Sequence, residues 1–269
     1  MENIMDNREE ILKAVKEDGK IYSCLLKVWR NDKEIFKEAF KTYKLAIQLA
    51  GEEIKKDREL IKELIQDNGW ILEYIDKSFR DDTELVLMAV KNDGFNLKFV
   101  SERLKRDKNI VTSAIKENGI SIQFASEEMR NNKKIVTEAI NYDGRSLEYI
   151  SERLRRNKEL VLKAVQSYGG ALAWASKTLK NDEEIVRIAV NENPKMFQFV
   201  SSNLKNNFDL AIYVIDKFSG ALQWVSSELK NNKEIVKIAV LNDKKVYKYV
   251  GKKIRKEYPT VNKFLASEV

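Results

Sequence analysis

The sequence predicts an all-α protein, a right-handed α-solenoid of about ten 25-residue two-helix repeats closed by a C-terminal capping helix. Three observations carry that expectation. Ala89 recurs as Ala114, Ala139, Ala164, Ala189 and Ala239, always a multiple of 25 residues away, and the same ruler falls on Ala14, Ala39, Leu64 and Val214. A residue suited to capping a helix precedes each of these at one spacing: Asn7, Asp32, Asp57, Asp82, Asp107, Asn132, Asn157, Asp182, Asn207 and Asn232. Between cap and ruler lies an apolar pattern of helical period. A fixed short period of this kind marks stacked supersecondary units, and it overrides the prior of one or two globular domains for 269 residues.

Each period opens with its cap, whose side-chain oxygen can accept from the unpaired N–H groups of a first helical turn. Glu9, Glu34, Glu59, Glu84, Glu159, Glu184 and Glu234 follow two residues later, where the helix dipole favours a negative charge. Leu85, Val86, Ala89 and Val90 form one helical stripe, returning as Ile110, Val111, Ala114, Ile115 and as Ile235, Val236, Ala239, Val240. Gly19, Gly69, Gly94, Gly119, Gly144 and Gly169 then predict a helix stop built on positive φ. Lys44, Pro194 and Lys244 stand at that position in three other periods, so altered turns are expected there.

A second helix of about 10 residues is expected next, with Leu97, Val100 and Leu104 on its buried stripe. Helices this short are marginal alone in water, so stability must come from stacking. At about 8–10 Å per stacked pair, the array would be a single elongated domain spanning residues 1–269. Residues 7–256 form the repeats. Residues 257–269 form the C-terminal cap, with Phe264 in the ruler position after Pro259, and the polar turn around Met1 to Glu10 forms the other cap.

The run DKNIVTSAIKENGISIQFASEEMRNN at 107–132, echoed by NKELVLKAV at 157–165, resembles the family of domain of unknown function 4116. The resemblance extends over residues 7 to about 256. It implies an all-helical repeat fold and brings no catalytic residues with it. The first, second and tenth periods fit the pattern less well, notably at Cys24 and Leu49, where later periods carry an aromatic residue, so the end repeats are expected to pack differently.

Composition narrows the function classes. Charged residues make up 34% of the chain, which suits thin stacked units with much surface. No apolar run approaches the ~18 residues of a membrane span, and the start, MENIMDNREE, lacks the apolar core of a signal peptide. Cys24 is the single cysteine, so no internal disulfide is possible and a cytoplasmic location is expected. The sequence contains no His, no phosphate-binding Gly-rich loop and no nucleophile elbow, and Cys24 sits in the apolar run IYSCLL, where a buried thiol would be inert. A non-enzymatic protein with no cofactor, no metal site and no small-molecule substrate is expected. Residues 1–100 carry 18 Lys and Arg against 21 Asp and Glu, residues 101–200 carry 18 against 14, and residues 201–269 carry 13 against 7. The chain therefore runs from an acidic end to a basic one, a gradient able to steer a charged partner.

Three rows are candidates for binding. The first is aromatic: Tyr74, Phe99, Phe124, Tyr149, Trp174, Phe199, Trp224 and Tyr249. At about 100° per residue, Phe99 falls well off the stripe of Leu97, Val100 and Leu104. Either each ring packs across the neighbouring helix, over small residues such as Ser101 and Ser126, or the rings form an exposed row of anchors. The second row is basic: Arg30, Lys55, Arg80, Lys105, Arg130, Arg155, Lys180, Lys205, Lys230 and Arg255. It either complements helix dipoles or tracks a phosphate backbone. Denser runs at Arg103, Lys105, Arg106, Lys108, at Arg153, Arg155, Arg156, Lys158 and at Lys252, Lys253, Arg255, Lys256 keep nucleic acid open. The third set varies freely: Trp70, Phe95, Ile120, Arg145, Gly170, Lys195 and Gly220 at one position, and Lys77, Glu102, Glu127, Glu152, Lys177, Ser202 and Ser227 at another. Such positions either recognise a ligand or fill solvent. The preferred reading is a scaffold, adaptor or inhibitor, that binds a protein partner along the second-helix surface. The alternative is nucleic acid, or a nucleic-acid-handling complex, on the basic C-terminal half.

Overall fold

In the computed structural model, which describes residues 7–66 and 68–267, no strand occurs among the described residues. The chain forms two compact units, one up to Met129 and one from Arg130. Their framework is ten α-helices at the expected period: α1 (Arg8–Glu17), α2 (Lys33–Thr42), α3 (Arg58–Ile65), α4 (Thr83–Asn92), α5 (Lys108–Glu117), α6 (Lys133–Tyr142), α7 (Lys158–Ser167), α8 (Glu183–Glu192), α9 (Phe208–Lys217) and α10 (Lys233–Asn242).

All ten expected caps accept a backbone N–H from the first turn of their helix. The apolar quartet behind each cap forms the core, and Leu85, Val86, Ala89 and Val90 are fully buried. The cap is also a joint between periods. Arg58 reaches forward from the start of α3 to Asp82 at 2.9 Å and Glu84 at 2.6 Å, and Lys158 does the same to Asp182 and Glu184, both at 2.8 Å. Asp107 caps α5 through Asn109 N and Ile110 N, at 2.8 and 3.1 Å, without such a cation. Asp107→Ala therefore isolates the cap, and a loss of about 1 kcal/mol in urea unfolding is expected. A loss below a few tenths would mean that the cap contributes little here.

The second half of the period is not the single α-helix that the spacing predicts. Gly94–Phe99 is a 3-10 helix, Val100 is extended at φ −73°, ψ 151°, and Leu104–Arg106 is a further short turn. The cause is a bond between periods. Ser101 N donates to Arg80 O at 2.9 Å, and the same donation recurs from Asp76 to Lys55, Ser126 to Lys105, Ser151 to Arg130, Ser201 to Lys180 and Ser226 to Lys205. An N–H committed to the preceding period cannot close a turn of its own helix, so the chain opens at residue 100. Leu97, Val100 and Leu104 are all buried nonetheless, from the 3-10 turn, the extended residue after it and the following short turn respectively.

A second set of caps escaped the sequence reading. Asp18, Asp93, Asn118, Asp143, Asn193 and Asp243 each accept the N–H two residues on and start the 3-10 turn. This is why the turns at Pro194 and Lys244 match the others rather than departing from them, Pro194 being tolerated in a first turn. The turn near Lys44 does depart: a short α-helix, Ala46–Leu49, replaces the 3-10 segment.

The helix-stop glycines also have a different cause from the expected one. Gly19, Gly69, Gly94, Gly144 and Gly169 do not have positive φ. A Cβ on Gly19, Gly94 or Gly144 would fall well inside 3.0 Å of the carbonyl oxygen of Ala39, Ala114 or Ala164, in the next helix. The alanine ruler and the glycines are thus one contact. In several periods the glycine N–H is bonded by a side chain at the end of that next helix, as Gly144 N is by Ser167 Oγ at 3.2 Å.

At the C-terminus, α11 (Val261–Ser267) buries Phe264 against the rings of Tyr247 and Tyr258, with centroids 6.2 and 5.6 Å away. The expected N-terminal cap lies largely outside the described residues. Cys24 is exposed rather than buried, because it occupies the outward ring position of its period. No helix among the described residues is long and apolar enough to cross a membrane.

Candidate binding surface

The two rows meet because the 3-10 segment ends on the ring and the following turn carries the cation. The basic side chain folds back over seven residues to the carbonyl just before the ring. Arg80 donates to Glu73 O at 2.7 Å, and Lys180, Lys205 and Lys230 donate to Ala173, Gln198 and Gln223 O at 2.6 Å each. Arg155 makes the same bond to Glu148 O. Arg30 and Lys55 make it as well, to Ser23 O and Gln48 O, whereas Lys105 turns to Glu102 and Arg130 to Tyr149 O.

Tyr74, Phe99 and Phe124 in the first unit, and Tyr149, Trp174, Trp224 and Tyr249 in the second, are partly exposed, while Phe199 is 38% exposed. They are not sealed between periods. One flank of several is covered by a neighbour from the same or an adjoining turn: Tyr168 stacks on Trp174 at 6.2 Å, Phe218 lies 5.9 Å from Trp224, and Lys180 sits 5.9 Å from the Phe199 ring centre.

Charge compensation differs sharply among the basic residues. Arg103 pairs with Asp81 at 3.0 Å, Lys105 with Glu102 at 2.8 Å and Arg156 with Glu152 at 2.6 Å, and Arg153 donates to Asn131 Oδ1 at 2.9 Å. Lys252, Lys253 and Arg255 are exposed, and Lys253 lines a separate depression with Asn231. Arg155, Lys180, Lys205 and Lys230 have no carboxylate within ion-pair distance among the described residues. Burial, and next the Arg155 guanidinium, pull the Lys180 ammonium below the ordinary lysine range. Burial and then Lys230 do the same to Lys205, and burial alone does so to Lys230. Arg155 Nε, like Arg80 Nε and Arg130 Nε, is buried with no acceptor among the described residues.

An open depression of about 550 Å³ gathers Arg155, Lys180, Trp174, Lys177, Ser176 and Glu152 in the second unit. A depression of about 360 Å³ stands at the corresponding place in the first unit, lined by Lys55, Arg80, Tyr74, Lys77, Asp76, Glu73 and Glu52. The sequence candidates Trp174, Arg155 and Lys177 are thus brought together, whereas Arg103 and Arg153 turn away to Asp81 and Asn131. The contribution of Lys180, Lys205 and Lys230 was missed as a site. A comparison of positions 100 residues apart, such as Glu73 with Ala173 and Asp76 with Ser176, would have pointed to it.

Five consecutive segments, 7–55, 57–105, 107–155, 157–205 and 207–255, match the model of the family described as Domain of unknown function (DUF4116). The chain belongs to the DUF4116 family. No curated protein and no solved structure matches it. The DUF4116 segment holds two of the 25-residue periods, and one position shows how they alternate. Asn31, Asp81, Asn131, Asn181 and Asn231 recur every 50 residues, and Lys56, Arg106, Arg156 and Asn206 stand between them. Each of the first set accepts from the following period: Asn31 from Glu53 N at 3.2 Å, Asp81 from Ser101 and Arg103, Asn131 from Ser151 at 2.7 Å, Asn181 from Ser201 at 2.6 Å and Asn231 from Lys253 N at 3.0 Å; Asn206, alone of the second set able to accept, does so from Ser226. Among the described residues no group of three or more His, Cys, Asp or Glu could hold a metal ion.

Proposed function

We propose that this DUF4116 chain is a non-enzymatic scaffold, an adaptor or inhibitor acting in the cytoplasm, that binds a protein partner along the face carrying the rings. Within each unit the periods would stack as a right-handed α-solenoid, so that one face repeats its chemistry at each step. The observation that carries the reading is the half-exposed ring row beside cations that the chain leaves uncompensated. Amphipathic rings with one flank already packed are rigid anchors, and they bind at low entropic cost. The alternative of nucleic acid draws on the dense basic runs, yet two of these runs spend much of their charge on Asp81, Glu102, Glu152, Asp182 and Glu184.

The test is capture from a lysate of the source cell, comparing the natural protein with Trp174→Ala/Trp224→Ala. The double variant must keep the natural far-ultraviolet dichroism. Loss of about 2 kcal/mol per anchor would lower partner recovery more than tenfold. Unchanged recovery would overturn the assignment of this face.

A further inference from the structure

We propose that the Trp174 depression and the cation column Arg155, Lys180, Lys205 and Lys230 receive an extended acidic segment of a protein partner, with its carboxylates spaced at the repeat. This rests on the reading that the ring face binds protein, and it specifies the chemistry of that protein.

The strongest argument is internal to the chain. Four periods separate the two depressions, and the cations correspond: Lys55 with Arg155, Lys77 with Lys177 and Arg80 with Lys180. In the first unit Glu73 and Asp76 stand among them. At the matching places the second unit has Ala173 and Ser176. The lining of the first depression is thereby balanced, with Glu52, Glu73 and Asp76 beside Lys55, Lys77 and Arg80, whereas in the second Glu152 is the one acid lining the site with Arg155, Arg156, Lys177 and Lys180. Lys158, by contrast, is paired across periods with Asp182 and Glu184.

Like charges brought together and partly desolvated raise the free energy of the unbound protein, and an anion placed between them recovers it. The Lys180 ammonium has one acceptor, Ala173 O, and two N–H groups remain for a ligand. Spacing selects an extended chain. Stacked helical periods step by about 8–10 Å, and a polyproline-type peptide rises about 3.1 Å per residue with three residues per turn, or about 9 Å. An acidic side chain at every third residue would meet one cation per period. Single-stranded nucleic acid fits less well, because base stacking needs free ring faces. Tyr168, Phe218 and Lys180 already cover one face of Trp174, Trp224 and Phe199.

The experiment uses the full chain and a fluorescein-labelled peptide of repeated Glu-Pro-Ser triplets, about 15 residues long, followed by anisotropy at low salt. The comparison probes are the Gln-Pro-Ser counterpart and an oligouridylate of similar length. The decisive variant is Ala173→Glu/Ser176→Asp, which installs the acids that the first unit already accommodates at the same positions. Its reciprocal is Glu73→Ala/Asp76→Ser. Binding of the acidic peptide is expected to weaken about tenfold or more in the first variant and to strengthen in the second, with the Gln peptide about tenfold weaker on the natural protein. Equal binding of the Gln peptide, indifference to Ala173→Glu/Ser176→Asp, or tighter binding of oligouridylate would each overturn the proposal. Cellular capture separates the two readings. Recovery lost in Trp174→Ala/Trp224→Ala but kept in Ala173→Glu/Ser176→Asp would sink the acidic segment alone, whereas recovery kept in both would sink the scaffold face as well.

Discussion

Gly144→Val is expected to cost the second unit about 3 kcal/mol or more, seen as a lower urea midpoint by far-ultraviolet dichroism. A Cβ at residue 144 falls well inside 3.0 Å of Ala164 O and meets Ser167 Cβ at 3.0 Å. Neither neighbour can swing away. The carbonyl is already bonded to Tyr168 N at 2.8 Å as the last turn of α7, so relief requires moving one period against the next. Overpacking of a rigid contact costs about 1–3 kcal/mol, and a branched side chain at a backbone-to-backbone contact stands at the upper end. The same shift would lengthen the Gly144 N to Ser167 Oγ bond, now 3.2 Å. Gly220→Ala is the internal control. The atoms nearest its added Cβ all belong to the ring of Phe218, a movable side chain, so a loss below about 1 kcal/mol is expected. Equal losses at the two sites would show that glycine acts through backbone freedom and not through close approach.

This contact marks the limit of what the residues disclose in order. The period, the ten caps and the buried quartets were legible because each is local: a cap and its N–H groups lie within three residues, and the apolar stripe repeats within one helix. The 3-10 segments were not legible as such, because Leu97, Val100 and Leu104 satisfy a helical spacing while the N–H of Ser101 answers to Arg80, 21 residues earlier. Gly94 was located correctly as a break and explained wrongly, since its neighbour Ala114 belongs to the next period. The rings were identified by position, but only the folded chain shows how far each projects. The basic row was visible throughout. Which of its members keep their charge free depends on acids such as Glu73 and Asp76 being present in one unit and replaced in the other.

The free charges and the joints respond to different variables. Salt acts on both, but acid acts first on the joints, because their partners are carboxylates and those of the free column are carbonyls. A pH series therefore reads the joints while leaving the column charged.

Stability is expected to be flat above about pH 5 and to fall steeply as the pH drops below about 4. At Asp82 and Asp182 burial works to raise the carboxyl pKa, but the bonds from Arg58 or Lys158 and from the helix N–H groups outweigh it and hold both below the ordinary range. At Asp57 the Lys33 bond is the leading cause, and at Glu84 the Lys62 and Arg58 bonds are. A carboxylate whose folded pKa lies below its unfolded value stabilises the fold above the unfolded pKa. That contribution disappears as protons bind on passing down through the folded value. Acid also strips the 42 Asp and Glu of charge while 49 Lys and Arg keep theirs, so self-repulsion adds to the same trend. Asp82→Asn/Asp182→Asn separates the two contributions. Asn caps α6, α7, α9 and α10 in the natural chain, so the cap survives while the ion pair is lost. The variant should be less stable at neutral pH and show a shallower acid slope in thermal melts. An unchanged slope would assign acid sensitivity to overall repulsion, and would leave the joints between periods resting on the backbone bonds from Ser101 to Arg80 and their repeats.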